Sequence, residues 1–197
     1  MKQRILKSTT LLLLSLFAIS SYGQSFYHHS YKYRNSGSFD KGTSILSLSY
    51  GVFDYKHGFK DEFYKANSHL GPFHAQIEQG VLEELGVGFR MGVAFSEGKH
   101  NTFQFNTTSF TLGLHAIYHF NRFIPVEPLD VYLGAGVGGR YNVLAFERNE
   151  MTGVEEFKVN PVAFLGVRYY FVPNVGVFAQ GGYDGFSTIQ AGLSFRF

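Results

Sequence analysis

Three groups of residues in this chain are of types that do chemistry, and their spacing decides what each is for. The first is a scatter of serines, histidines and carboxylates, namely His57, Asp61, Ser68, His69, Ser96, His100 and Ser187. Hydrolysis or acyl transfer needs a nucleophile beside a base, with a third group orienting that base, and nothing in this spacing sets one against another. The expectation is a protein that is not an enzyme. The second group is His28 and His29, within the Tyr-rich stretch 26–33. Adjacent side chains of an extended segment point apart, so the pair reads as part of a soft tail rather than a metal site, and no cofactor is implied. The third group is seven isolated charges, Glu78, Arg90, Asp130, Arg140, Arg168, Asp184 and Arg196, each set among small and apolar residues.

The elements that carry these charges alternate with a period of two. Leu85, Val87, Phe89, Met91, Val93 and Phe95 are separated by Gly86, Gly88, Arg90, Gly92 and Ala94, so one face is apolar and the other holds glycine and a charge. The same parity runs through 43–52, 72–80, 110–120, 129–141, 161–171, 175–184 and 189–197. Within 110–120 the mismatch is Ile117, which falls on the small-or-polar face. Each segment is near the ~9 to 11 residues that a tilted strand needs to cross a bilayer's hydrocarbon. A soluble barrel would place its apolar face inside and would need Lys and Glu where this chain has Phe, Leu and Val. The pattern therefore predicts an all-β fold, an eight-stranded antiparallel up-and-down transmembrane β-barrel with lipid outside.

The N-terminal residues specify an exported chain. Lys2, Arg4 and Lys7 precede an apolar run over 11–19, followed by Ser21 and Gly23, the layout of a secretory signal peptide over 1–23 with Gln24 leading the mature chain. Loss of those three cations leaves 14 basic against 15 acidic residues, which removes the main support for nucleic-acid binding. There is no cysteine, so an exported fold must close by hydrogen bonding alone. Residues 24–42 are expected to be a periplasmic tail, with 35–42 able to rest across the barrel mouth, and 43–197 the barrel in the outer membrane.

Loop lengths and aromatics give an orientation. Long connections are expected over 53–70, 96–106 and 142–158 and short ones over 81–84 and 172–174; 121–128 is intermediate, and 185–187 is short where a long one belongs. The long loops then lie outside the cell and both chain ends in the periplasm. Tyr50, Phe73, Phe95, Phe110, Tyr141 and Tyr183 would form an outer aromatic belt, and Tyr118, Phe120, Tyr169, Phe171, Phe195 and Phe197 an inner one.

The leader, the eight strands, the glycine-rich YLGAGVGG strand and the terminal GLSFRF resemble the small outer-membrane β-barrels of the OmpA/OmpX-like, opacity-protein type. That resemblance covers roughly Lys41 to Phe197. It implies a porin-like cell-envelope protein of Gram-negative bacteria, and the Gln-led mature end after Ser-Tyr-Gly is similar to a Bacteroidetes export signal. It also implies that Leu193, Phe195 and Phe197 form the C-terminal signal read by the barrel-assembly machinery. Outer-membrane lipid and lipopolysaccharide would be partners of a monomer, and the long loops, rich in mixed charge and aromatics, are candidates for a surface ligand. The known enzymes of this architecture modify lipid A with His, Ser and an acid near the outer leaflet; His115 and His119 face inward and toward the periplasm, which does not fit.

Eight strands leave an interior only wide enough for its own side chains. The seven inward charges are therefore expected to pair as a polar plug, with Glu78 and Asp130 bonded by some of Arg90, Arg168 and Arg196. The alternatives are a narrow channel or small-ligand carrier and, third, a lipid-A-modifying enzyme.

Overall fold

The computed structural model describes residues 38–53, 66–100, 103–124, 126–146 and 154–197. These form eight strands: β1 (Ser44–Phe53), β2 (Ala66–Gly80), β3 (Leu85–His100), β4 (Phe103–His119), β5 (Leu129–Phe146), β6 (Val154–Val172), β7 (Val175–Tyr183) and β8 (Ser187–Arg196). Each pairs antiparallel with its sequence neighbours, and β1 also pairs with β8, so the sheet closes into a barrel without an edge along its transmembrane wall.

Period-two patterning sets the faces as expected. Along β6 burial alternates strictly from Pro161 to Tyr170, with Leu165, Val167 and Tyr169 exposed and Phe164, Gly166, Arg168 and Tyr170 buried. On β4 the exposed residues are Phe110, Leu112, Leu114 and Ala116, while Thr111, His115, Ile117 and His119 are buried. Ile117 is not an error of pattern: with Tyr132, Val162 and Phe164 it forms an apolar layer inside the barrel. Glycines on facing strands make room for these rings, Gly166 under Tyr132 and Gly134 under Phe164.

The loops differ from expectation. Of the connection expected over 96–106, residues up to His100 and from Phe103 are strand, paired through Ser96↔Thr107, Gly98↔Phe105 and His100↔Phe103. Of the connection expected over 142–158, residues up to Phe146 and from Val154 are strand, because Asn142↔Glu156 and Leu144↔Val154 continue the β5–β6 ladder. Beyond the hydrocarbon the outward face turns polar while the inward one stays packed, with Gln104 and Asn106 exposed and Phe105 and Leu144 buried, so the transmembrane alternation reverses while backbone pairing continues. The wall is consequently uneven: β6 pairs with β7 only from Ala163 onward, and among the described residues Val154–Val162 have their ladder on the β5 side alone.

The turns at 81–84, 120–128 and 173–174 and the start of β1 share one end of the barrel with Phe197, called here the terminal end; the β7–β8 turn at 184–186 lies at the other, the loop end. The outward aromatics of the first belt follow the register, Tyr50↔Phe73, Val93↔Phe110, Phe110↔Tyr141 and Tyr141↔Phe157. Tyr50 and Phe73 meet edge to face at 5.4 Å. Phe157, on the same row, lies over Gly139 and covers the bare backbone there.

Candidate functional site

Each inward charge reaches the lumen because it occupies the same parity as the glycines around it, and those glycines leave space for long side chains. Five of the seven, Glu78, Arg90, Asp130, Arg168 and Asp184, collect into two polar layers on either side of the apolar layer of Ile117, Tyr132, Val162 and Phe164.

The layer nearer the terminal end holds Glu78 from β2, His119 from β4, Asp130 from β5 and Arg168 from β6. All four are buried, Glu78, His119 and Asp130 completely. His119 Nδ1 lies 2.8 Å from Asp130 Oδ1 and its Nε2 2.6 Å from Glu78 Oε1. The ring thus bridges the two carboxylates through both of its nitrogens. Arg168 donates from Nη1 to Asp130 Oδ2 at 2.6 Å, from Nη2 to Glu78 Oε2 at 3.4 Å and from Nε to Ser194 Oγ at 3.0 Å. Its guanidinium also lies over the Tyr132 ring at 4.7 Å. Arg168 thus offers a guanidinium to both carboxylates, the compensation that buried charges require.

The second layer centres on Arg90 and Asp184. Arg90 donates from Nε and Nη2 to Gln76 Oε1 at 2.9 and 2.6 Å and from Nη1 to Asp184 Oδ2 at 3.2 Å, and it lies over the Phe164 ring at 4.5 Å. Asp184 Oδ1 accepts from the backbone N–H groups of Phe186 and Ser187 at 2.8 and 2.7 Å, closing the β7–β8 turn. Gln190 Nε2 donates to Asp184 and to Ser187 Oγ. Arg90, Phe164, Gln180 and Gln190 line a narrow crevice beside this layer.

The expected partners change accordingly. Glu78 and Asp130 do come together on Arg168, but Arg90 belongs to Asp184 and Gln76 in the other layer. Arg196 does not reach the carboxylates either: it donates to the carbonyls of Pro173 and Ser38 at the terminal rim and lies over Tyr170 at 4.3 Å. Arg140 donates from Nη1 to the carbonyl of Gly185 at 2.8 Å, holding the loop-end turn from β5. The residue that sequence reasoning missed is His119. Its parity marked it as inward, but its meeting with Asp130 and Glu78 follows from the stagger of β2 to β5, which no single segment carries.

Among the hydrolytic candidates, Ser187 is the residue that acquires a base. Its Oγ lies 3.3 Å from His74 Nε2, and Asp184 Oδ2 approaches that same nitrogen at 4.0 Å. A triad needs its carboxylate on the other ring nitrogen, and His74 Nδ1 has no hydrogen-bond partner. Ser187 is also 3% exposed, out of reach of a substrate. His69 and Ser96 lie on the β2 and β3 extensions, paired with one another in the ladder. His28, His29, His57 and Asp61 lie outside the described residues, as do 1–23, most of the tail over 24–42, and the side chains of Ser68 and His100. No group of three or more metal-ligating side chains occurs among the described residues. Of the C-terminal set, Leu193 and Phe197 are exposed on the outer surface, 45% and 61%, and Phe195 is half-buried.

A closed eight-stranded antiparallel wall, apolar outside and charged within, defines a transmembrane β-barrel of the outer-membrane type. No family model and no curated protein matches the chain. Solved structures do match: OprG, an outer-membrane protein of Pseudomonas aeruginosa, at 10% identity and a TM-score of 0.53, covering 82% of this chain and 98% of that one. Ail, the attachment invasion locus protein of Yersinia pestis, solved with the heparin analogue sucrose octasulfate, matches at 13% identity and a TM-score of 0.51, covering 80% and 99%. The chain therefore has the fold of the small eight-stranded outer-membrane barrels, in line with the OmpA/OmpX-like resemblance.

Proposed function

We propose that this protein is a closed, non-conducting and non-enzymatic barrel of the bacterial outer membrane, a rigid scaffold whose interior layers fix its register and whose loop end faces the outside. The observation that supports this reading is the set of buried ion pairs inside the barrel, Arg168 with Glu78 and Asp130 and Arg90 with Asp184, on either side of the apolar layer. An ion crossing it would have to break a buried ion pair, which costs several kcal/mol per desolvated charge.

The apolar outer face fits contact with lipid and lipopolysaccharide. Both chain ends then lie in the periplasm, and Leu193, Phe195 and Phe197 are the residues offered to the barrel-assembly machinery. The barrel works as a monomer, because closure of β1 on β8 leaves no transmembrane edge that calls for a second copy.

Membrane fractionation with heat-modifiable mobility tests the location, and planar-bilayer recording tests the plug. The expected result is an outer-membrane band that shifts on boiling and no steady conductance. A soluble, unshifted protein would overturn the location, and stable unitary conductance would overturn the plug in favour of a narrow channel.

A further inference from the structure

The chain passes across the terminal end of the barrel before it enters the wall at β1. Ser38 and Phe39 are 2% and 3% exposed, as buried as the barrel core. The Phe39 ring lies flat on that of His119, with centroids 3.5 Å apart and planes inclined by 7°. The Phe39 carbonyl accepts from Asn121 Nδ2 at 2.9 Å, the Ser38 carbonyl accepts from Arg196 Nη1 at 2.6 Å, and the Ser38 hydroxyl donates to the carbonyl of Leu129 at 3.2 Å. The wall also leaves space for the ring: a side chain at Gly86 would begin 3.2 Å from Phe39 Cζ, and one at Gly80 3.1 Å. Contributions from β2, β3, β4, β5, the β4–β5 connection and β8 thus converge on two residues.

We propose that the terminal end of the barrel is a binding site for an extended peptide segment bearing an aromatic side chain, filled in cis by Ser38–Asp40, which seals the His119 layer from water. The chemistry of the ligand follows from the chemistry of the seat. The imidazole of His119, held flat by a carboxylate at each nitrogen, presents a face on which an aromatic ring stacks. Asn121 and Arg196 donate to two successive backbone carbonyls, which fixes the direction of the segment. The bare backbone of Gly80 and Gly86 admits a ring and would be wasted on a small side chain. The buried pairs of Arg168 with Glu78 and Asp130 are also sensitive to water, because their attraction strengthens as the local dielectric falls. This goes beyond the scaffold role and does not depend on it.

The chain has neither Trp nor Cys, so single reporters can be introduced without background. In the full-length protein refolded into vesicles, with heat-modifiable mobility showing each variant folded, the Phe39→Trp variant should emit further to the blue than a Lys41→Trp reference. Iodide should quench it several-fold less. Adding His119→Leu should raise its quenching toward the reference. A Phe39→Cys variant, smaller than the native ring, should react several-fold more slowly than Lys41→Cys with a membrane-impermeant maleimide. In trans, the Phe39→Ala barrel should bind the peptide Gly-Ser-Phe-Asp-Lys saturably and the same peptide with Ala for Phe several-fold more weakly. Equal quenching and equal labelling at the two positions would overturn the docking. Protection that survives His119→Leu unchanged would remove His119 as the seat, and indifference to the peptide's aromatic residue would overturn the ligand class.

Discussion

Asp130 and Arg168 stand directly opposite each other in the β5–β6 ladder, and their side chains meet at 2.6 Å inside the barrel. The ion pair and the strand register are thus one constraint: a slip of one residue would turn Arg168 into lipid and leave Asp130 without its guanidinium. Glu78 and His119 tie β2 and β4 to the same point.

Removing one member of this layer should cost far more than its exposed counterparts. Arg168→Met leaves two buried carboxylates on one histidine, a loss of about 3–5 kcal/mol for a broken buried pair. Arg168→Met combined with Asp130→Asn should cost less than the two single changes added together, since each then lacks the partner it would strand. Urea-driven unfolding in vesicles, followed by the band shift on unboiled gels, measures both. Additive losses would mean that the layer is not a unit.

The outer face can be tested against the inner one at adjacent positions. Leu114 is 58% exposed on the lipid side, and Leu114→Arg should cost ~2–4 kcal/mol near mid-membrane. Gly113→Ser should be milder, because a Cβ there would have its nearest neighbour at 3.6 Å. Gly136→Ala should be worse than Gly113→Ser, since its Cβ would run into the backbone of Leu114 and His115. Equal effects at 113 and 114, by the same unfolding assay, would remove the assignment of faces.

What the sequence disclosed and what it withheld divide along physical lines. The faces of the strands were legible because lipid on one side and a filled lumen on the other force a strict period of two, as at 161–170. The strand extensions were not: in FQFN the alternation is reversed, with Phe105 buried inward and Gln104 and Asn106 exposed outward, so a rule that sends apolar residues to lipid misses it. Inward charges were legible singly, because a charge among glycines in an alternating strand has one place to go. Their partners were not, because whether Arg90 meets Glu78 or Asp184 depends on how strands distant in sequence are staggered, a property of the closed barrel rather than of any segment. His119 was hidden for the same reason.

The C-terminal residues separate assembly from stability. Phe197 is 61% exposed, so Phe197→Ser should change the unfolding midpoint of refolded protein little. If Phe197 is the residue that the assembly machinery reads, the same change should lower the amount of folded barrel in cells several-fold. Quantifying the heat-modifiable band in outer-membrane fractions beside the in vitro midpoint distinguishes the two. Parallel losses in both would assign Phe197 to packing instead.

Asp184 joins the loop-end turn to the second charge layer, and its two oxygens can be tested apart. Oδ1 accepts from the N–H groups of Phe186 and Ser187, the arrangement by which a short acidic side chain closes a turn, while Oδ2 faces Arg90 and Gln190. Asp184→Asn keeps an acceptor for the turn and removes the charge opposite Arg90; Asp184→Ala removes both. The alanine variant should therefore lose more, by about 1–3 kcal/mol for backbone donors left unsatisfied in a buried turn. Gly185 follows with φ of +78° and the Asn160 side chain 2.7 Å from where a Cβ would stand, so Gly185→Ala should destabilise the same turn without touching any charge. If Gly185→Ala and Asp184→Asn each weaken the barrel while Arg90→Gln restores part of the loss in Asp184→Asn, then turn and charge layer contribute independently. Failure of Arg90→Gln to restore anything would show that Gln76 alone suffices to hold the guanidinium, and that the ion pair adds little to the closed end of the barrel.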